Sequence, residues 1–299
     1  MNSISGKIGF IGIGAMGTPM AGNLAKAGYN LVIYDAEPKR ALALAAAHKV
    51  EIAENLAAIG AACEIVITML PDGGIVRKVL CGDNDSFRDC VAAGLKAGSL
   101  VVDMSSSSPL GTRELGTLLA KLGVKLIDAP VSNGVRGAIA ATLAIMVGGD
   151  KALFEHCRPL FEKIGSQIFH AGPLGAGHAI KALNNYVSAA GLVAACEAVI
   201  VGRRFGLEPG VVVDILNASS GMNNTTKNKI KQYMISGAFN AGFTMGLMAK
   251  DVRTALEVAE AMHGPARLAQ HTSAVWSEAE QQLGAAADHT EIFRYLETL

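Results

Sequence analysis

The chain has 299 residues, 51% of them hydrophobic and 17% charged, and its 26 basic side chains balance 26 acidic ones. That length exceeds what one hydrophobic core usually serves, so two domains are expected. A net charge of zero argues against nucleic acid or a membrane surface as a partner. The apolar surplus of an Ala- and Gly-rich chain points instead to subunit contacts, and so to a homo-oligomer, a dimer or tetramer. Cys63, Cys81, Cys90, Cys157 and Cys196 are odd in number and form no C-x-x-C pair. They argue against a disulfide framework or a bound metal and fit a reducing cytoplasm. Met1–Lys7 runs directly into a strand pattern, which leaves no room for a secretory signal.

The first half alternates short β-branched runs with Ala- and Leu-rich helical patterns. Ile8–Ile11 reads as a buried strand and Met16–Ala27 as a helix stopped by Gly28. Further strands are predicted at Leu31–Tyr34, Ile65–Thr68, Leu100–Asp103, Lys125–Asp128, Leu143–Val147 and Gln167–Phe169. Helical stretches at Lys39–His48, Leu110–Leu122 and Lys151–Ile164 lie between them. Strand and helix in alternation predict an α/β fold, a doubly wound and largely parallel sheet covered on both faces. Ala171-Gly172-Pro173-Leu174-Gly175 marks a boundary. Beyond it the pattern is helical: Gly177–Phe205, Pro209–Ala218, Lys227–Ser236, Thr244–Met262 and Pro265–Leu283, with Gly206, Gly237 and Gly264 as terminators. The division expected is a domain over 1–172 and an all-helical domain over 173–299. Ala182–Gly202 is nearly as apolar as a membrane span. Asn184, Asn185 and Glu197 interrupt it, and Lys181 stands at its edge, so it reads as a buried central helix.

Gly12-Ile13-Gly14-Ala15-Met16-Gly17 is a G-x-G-x-x-G, and its place between the first strand and first helix gives the motif its meaning. Gly12 permits the tight turn, Gly14 lets a pyrophosphate approach the backbone, and Gly17 lets helix and strand pack closely. The helix start then offers unpaired N–H groups and a positive partial charge to the dinucleotide. Asp35, at the end of the second strand, can accept hydrogen bonds from both adenosine-ribose hydroxyls and repel a 2′-phosphate, which favours NAD over NADP. It could also merely cap the next helix, and Lys39 and Arg40 soften the preference and leave NADP open. Met69-Leu70-Pro71 and Asp103-Met104-Ser105-Ser106 end strands that line the same crevice. Ser105 and Ser106 read equally as cofactor contacts or as caps.

These residues and three later segments resemble the β-hydroxyacid dehydrogenase family, whose members include 3-hydroxyisobutyrate dehydrogenase and 2-hydroxy-3-oxopropionate (tartronate semialdehyde) reductase. Gly9–Gly17, continuing to Met20–Leu24, is similar to the family's cofactor signature. Asp128-Ala129-Pro130-Val131-Ser132-Asn133-Gly134, with Gly137-Ala138, looks like its substrate loop. Gly175-Ala176-Gly177, Lys181 and Asn184-Asn185 resemble its catalytic helix, and Met248-Ala249-Lys250-Asp251 the helix that reaches back to the active site. The resemblance implies a Rossmann-type domain, a nicotinamide cofactor and a small carboxylate substrate. It implies that Lys181 is catalytic, aided by Asn185, and that Ser132, Asn133, Gly134 and Asn184 bind substrate. Gly12, Gly14, Ala15, Met16, Gly17, Asp35, Leu70, Pro71, Ser106 and Lys250 would line the cofactor. The chain departs from the family at Asn133, where glycine is usual, so the side chain there would narrow the pocket or add a polar contact.

The residues make chemical sense of that reading. Oxidising an alcohol by hydride transfer needs a base for the hydroxyl proton, and free lysine, titrating near 10.4, is a poor one. A partly desolvated cleft beside a cationic nicotinamide lowers its pKa. Alone, Lys181 would read as a surface lysine with its stem on apolar surface and its head in water. Asn185, one helical turn on, and the preceding cofactor domain turn the reading towards catalysis. His178 fits a helix-start role. Two alternatives carry less: a reductase of another small carbonyl or imine, and a non-catalytic dinucleotide sensor, which has no need of Lys181, Asn185 and Lys250 together. The decarboxylating 6-phosphogluconate dehydrogenases share the organisation, but no phosphate-binding set of theirs is recognisable.

Overall fold

A computed structural model describes residues 4–299, so the first three residues of the Met1–Lys7 reading lie outside the described residues. The chain separates into two compact units, the first ending at Lys181 and the second running from Ala182 to Leu299.

The first unit is built on one sheet. Its strands are β1 (Ile8–Ile11), β2 (Leu31–Tyr34), β3 (Glu51–Ile52), β4 (Ile65–Thr68), β5 (Leu100–Asp103), β6 (Lys125–Asp128), β7 (Val131–Ser132), β8 (Leu143–Gly148) and β9 (Gly165–Gly172). Their order is β3-β2-β1-β4-β5-β6-β8-β7, with β9 paired to β8. The six strands from β3 to β6 are parallel, whereas β8 runs antiparallel to β6 and β7. The chain order reverses between β1 and β4, which opens a crevice beyond their carboxyl ends. Side chains alternate between two cores: Ile8, Phe10, Ile65, Ile67, Leu100 and Val102 enter one, and Ile11, Val66 and Val101 the other. Burial on both faces is why these strands read as continuous apolar runs.

The helices over this sheet are α1 (Gly17–Lys26), α2 (Pro38–Ala47), α3 (Leu56–Ala62), α4 (Gly73–Cys81), α5 (Pro109–Ala120), α6 (Gly134–Ile139) and α7 (Lys151–Phe161). The sequence reading lacks α3, α4, α6, β3 and β7. The first two helices are short, but each has a legible start: Asn55 accepts from the Ala58 N–H and Asp72 from the Ile75 N–H. Strand β3 is two exposed residues at an edge, too brief for any periodicity.

Helix α8 (Ala176–Arg204) begins in the first unit and continues into the second. Its first turn is tied to β6, where Asp128 accepts from the Gly175 and His178 N–H groups. The second unit adds α9 (Pro209–Asn217), α10 (Asn224–Asn228), α11 (Met245–Ala261), α12 (Arg267–Leu283) and α13 (Ile292–Glu297). Its core gathers Leu192, Cys196, Val199, Val252, Trp276 and Phe293. By length and composition α8 could cross a membrane, and 39% of its most apolar window is buried. Its stripe of Ala189, Leu192, Cys196 and Val199 faces the helical core, as an amphipathic core helix requires.

Two expectations for this unit change. The helix predicted over Lys227–Ser236 divides into α10 and a π-helical turn, Ile230–Ile235, because Lys229 leaves helical geometry at φ −127°. The break carries the Lys229 amine to 3.0 Å from His289 Nε2, and burial lowers its pKa. Gly264 does not supply the left-handed stop after α11. His263 does, at φ +51°, while the Gly264 N–H donates to the Ala259 carbonyl.

All five cysteines are reduced and buried. Burial pushes the Cys63 thiol up to about 11 and those of Cys81 and Cys157 up to about 12. A thiol reagent at mildly alkaline pH should therefore label the native chain far more slowly than the denatured one, where five thiols react. Rapid labelling of several thiols without denaturant would contradict this packing.

Candidate active site

The glycine turn is shaped by its neighbours. Gly12 has φ +98°, and a side chain on Gly17 would collide with the Gly12 carbonyl. By contrast, the space beside the Gly14 Cα is open. No side chain caps the start of α1, where Met16 is the N-cap residue, with Ala15 just before it. A close, uncapped helix start behind an open glycine backbone fits the diphosphate of a dinucleotide. Asn23 farther along α1 donates to the Ala138 carbonyl and so ties the cofactor helix to α6.

Asp35 sits beside this turn with its side chain 7% exposed. One oxygen accepts from the Ile13 N–H at 2.6 Å and the other from the Glu37 N–H at 2.8 Å. The carboxylate thus holds the glycine turn and the entrance to α2 together, with lone pairs left over for a ribose. Arg40 lies 3.8 Å from it and 3.2 Å from Glu37, a cation close enough to matter to a phosphate.

The ends of β4 and β5 are linked through Ser105, whose hydroxyl accepts from the Leu70 N–H at 2.9 Å. That hydroxyl is buried in a structural tie, whereas Ser106 is half-buried and Pro71 exposed. Beneath them lies a polar network that sequence reasoning did not assign. Asp103 accepts from Thr68, Ser107 and the Ser105 N–H. The His178 ring reaches Thr112 Oγ1 at 2.8 Å through Nδ1 and the Ser105 carbonyl at 3.1 Å through Nε2.

The segment from Asp128 turns through β7 into α6. Ser132 is half-buried, and its hydroxyl accepts from Lys181 Nζ at 3.1 Å. Asn133 takes up φ +86°, the left-handed geometry that suits glycine, and Gly134 follows at φ +58°. Asparagine is the side chain that best tolerates this region. Its Nδ2 donates to the Thr142 carbonyl at 3.0 Å, so the polar contact expected of it goes to the start of β8.

In the second unit, Asn185 is buried and donates from Nδ2 to Asp251 Oδ2 at 2.6 Å. Asn184, exposed on the same helix, donates to Asn185 Oδ1 at 3.1 Å. Lys250 Nζ lies 3.4 Å from Asp251 Oδ1, so one carboxylate engages both the amide and the amine. The role of Asp251 was not legible, although it stands inside a motif quoted for its lysine. The structure thus gathers Lys181 with Ser132 in the first unit and Asn184, Asn185 and Lys250 in the second.

Residues 7–172 match a family described as the NAD binding domain of 6-phosphogluconate dehydrogenase. Residues 175–296 match one described as NAD-binding of NADP-dependent 3-hydroxyisobutyrate dehydrogenase. The 2-(hydroxymethyl)glutarate dehydrogenase of Eubacterium barkeri is 40% identical over 84% of this chain and 81% of its own length. The 2-hydroxy-3-oxopropionate reductase of Escherichia coli is 36% identical over 98% of both chains. A solved 3-hydroxyisobutyrate dehydrogenase of Mycobacterium tuberculosis, with L-serine, is 32% identical, with a TM-score of 0.87 over 98% of this chain and 99% of that one.

Replacing Asp35 tests the cofactor end of the site. Asp35→Ala removes a charged hydrogen-bond acceptor, an interaction of about 1.5–3 kcal/mol, so NADH should bind at least tenfold more weakly. The NADP to NAD affinity ratio should rise as well. Fluorescence titration with both reduced cofactors measures it, and an unchanged ratio would exclude Asp35 from cofactor choice.

Proposed function

The chain belongs to the β-hydroxyacid dehydrogenase family and is an NAD(P)-dependent oxidoreductase acting on CH–OH groups, and from that premise we propose that Lys181 is its general acid and base. The substrate we infer is a small β-hydroxy acid or the matching semialdehyde. The relatives are named for 3-hydroxyisobutyrate, 2-(hydroxymethyl)glutarate and 2-hydroxy-3-oxopropionate, and one binds L-serine. These share a carboxylate whose neighbouring carbon carries a hydroxymethyl or formyl group. What differs is the third substituent, so the fixed skeleton HOCH2–CHX–COO⁻ is the class to which we assign this chain.

The nicotinamide supplies the hydride acceptor in oxidation and the hydride donor in reduction. Lys181 accepts the hydroxyl proton on Nζ as the carbonyl forms and returns it in the opposite direction. The neighbouring Ser132 hydroxyl, at 3.1 Å, aims that amine and is itself a donor for the substrate carboxylate. Ser132, Asn133 and Gly134 form the carboxylate loop in this reading, with Asn133 contributing backbone because its side chain is committed to Thr142. Asn185, one helical turn beyond Lys181, keeps an amide hydrogen and a lone pair after its bonds to Asp251 and Asn184. Those remaining positions are what it offers the substrate. Asn184 acts by fixing that amide, and Lys250 adds a cation at the cofactor. The observation that carries this reading is the Lys181 amine hydrogen-bonded inside the unit that bears the glycine turn.

We place the protein in the cytoplasm, where five reduced thiols are at home. It should be a homo-oligomer, because the second unit leaves Val187, Val201, Phe205, Val211 and Ile215 more than half exposed. Light scattering should give the mass of a dimer or tetramer, and a monomer at micromolar concentration would discard that assignment.

Lys181→Ala should bind NADH within about threefold of the parent and lose 10²–10⁴-fold in turnover, roughly the contribution of a positioned acid or base. Reduced-nicotinamide absorbance with 3-hydroxyisobutyrate, L-serine and 2-(hydroxymethyl)glutarate reads the rate. Undiminished turnover with the best acid of that panel would sink the proposal.

A further inference from the structure

The 29-residue helix α8 has a peculiar beginning. Its first helical residue follows Gly175, which adopts φ +87° and has no side chain with which to cap the helix. The cap comes from Asp128, 47 residues earlier, whose Oδ1 accepts from the Gly175 N–H and Oδ2 from the His178 N–H, each at 2.7 Å. These are two of the donors that a helix start leaves without intrahelical partners. A charged acceptor there also favours the positive end of the helix dipole. Asp128 is fully buried.

Asp128 and Ser132 are the two ends of one five-residue segment. The first holds the start of α8 and the second holds the Lys181 amine, less than two turns along the same helix. Between them Ala129, Pro130 and Val131 are buried, so the segment has little freedom to stretch. His178 adds a third anchor. Its buried ring lies 3.7 Å from both the Asp103 and Asp128 carboxylates and bonds to Thr112 and to the Ser105 carbonyl. Since a carbonyl only accepts, Nε2 donates to it. The ring therefore joins the catalytic helix to the end of β5, the strand that precedes Ser106.

We propose that Asp128 and His178, braced by Asp103 and Thr112, are positioning residues that fix the height and rotation of Lys181 against the substrate loop. They touch neither substrate nor cofactor in this account. The inference rests on Lys181 being the acid and base. It goes further by assigning the accuracy of that amine to a buried network on the sheet side. Displacements of about 1 Å by residues remote from the chemistry can cost about a hundredfold in rate.

The test compares Asp128→Asn, His178→Leu, His178→Gln and Thr112→Val in the full-length protein. Each is titrated with NADH to count working cofactor sites. Each is then assayed with the best acid of the three-acid panel, unlabelled and deuterated at its hydroxymethyl carbon. Asp128→Asn puts an amide donor against a helix N–H, and His178→Leu deletes both ring bonds. Both should lower kcat per NADH site by about tenfold or more and raise the deuterium isotope effect, with NADH affinity within about twofold. His178→Gln keeps one donor and one acceptor and should remain within about threefold of the parent. Thr112→Val leaves both carboxylates in place, so it reports on the network even if Asp128→Asn does not fold, and should lower kcat with the same isotope signature.

A network that only holds the fold would lower the number of NADH sites or the melting temperature, leaving kcat per site and the isotope effect unchanged. That result, or equal behaviour of His178→Gln and His178→Leu, overturns the proposal. The Lys181→Ala assay separates the two readings. If it loses turnover while the network variants stay normal per site, only this inference fails.

Discussion

One buried carboxylate organises the sheet unit. Asp128 ends β6, the last of the six parallel strands that begin at β3, begins the turn towards Ser132 and closes the start of the longest helix. A carboxylate removed from water must find compensation, and here it comes from two backbone N–H groups that the helix could not otherwise satisfy. Each group removes the other's cost. The arrangement also explains why the first turn of α8 is part of the sheet unit while most of the helix is not.

The same economy appears at Asp35, Asp103 and Asp251. Each accepts hydrogen bonds from fixed protein groups and lies within reach of residues assigned to binding or catalysis. Hydrogen bonds to a charged acceptor are stronger and shorter than neutral ones, so such groups set geometry tightly. Asp251 holds two side chains named by motif, Asn185 and Lys250, while Asp35 and Asp103 brace backbone and hydroxyl groups at the strand ends.

How much of this was legible follows from the range of each signal. The parallel strands were, because runs such as Ile65–Thr68 and Leu100–Asp103 bury both faces and so are apolar up to their last residue. The glycine turn was, because its spacing is local. Lys181 stood out only in company, through Asn185 one turn on, the preceding cofactor domain and the resemblance to a family segment, since one lysine on an apolar helix has an ordinary surface explanation. The cap on α8 was invisible, for its donor and acceptor lie 47 residues apart and nothing in either segment names the other. Asn133 shows a different limit. Its chemistry suggested a narrower pocket or an added polar contact, and no local signal named Thr142, nine residues on, as the partner of the amide. The break at Lys229 escaped because the residue its amine meets, His289, lies 60 positions away.

Asp35 carries a lesson for redesign. Its oxygens already serve the Ile13 and Glu37 amides, so the carboxylate is a structural brace whatever it does for the nucleotide. An engineer who swaps it for a small or basic residue to admit a phosphorylated ribose also orphans the amide just after Gly12. Changing coenzyme choice here therefore calls for paired substitutions, one to welcome the phosphate and one to give that amide a new acceptor.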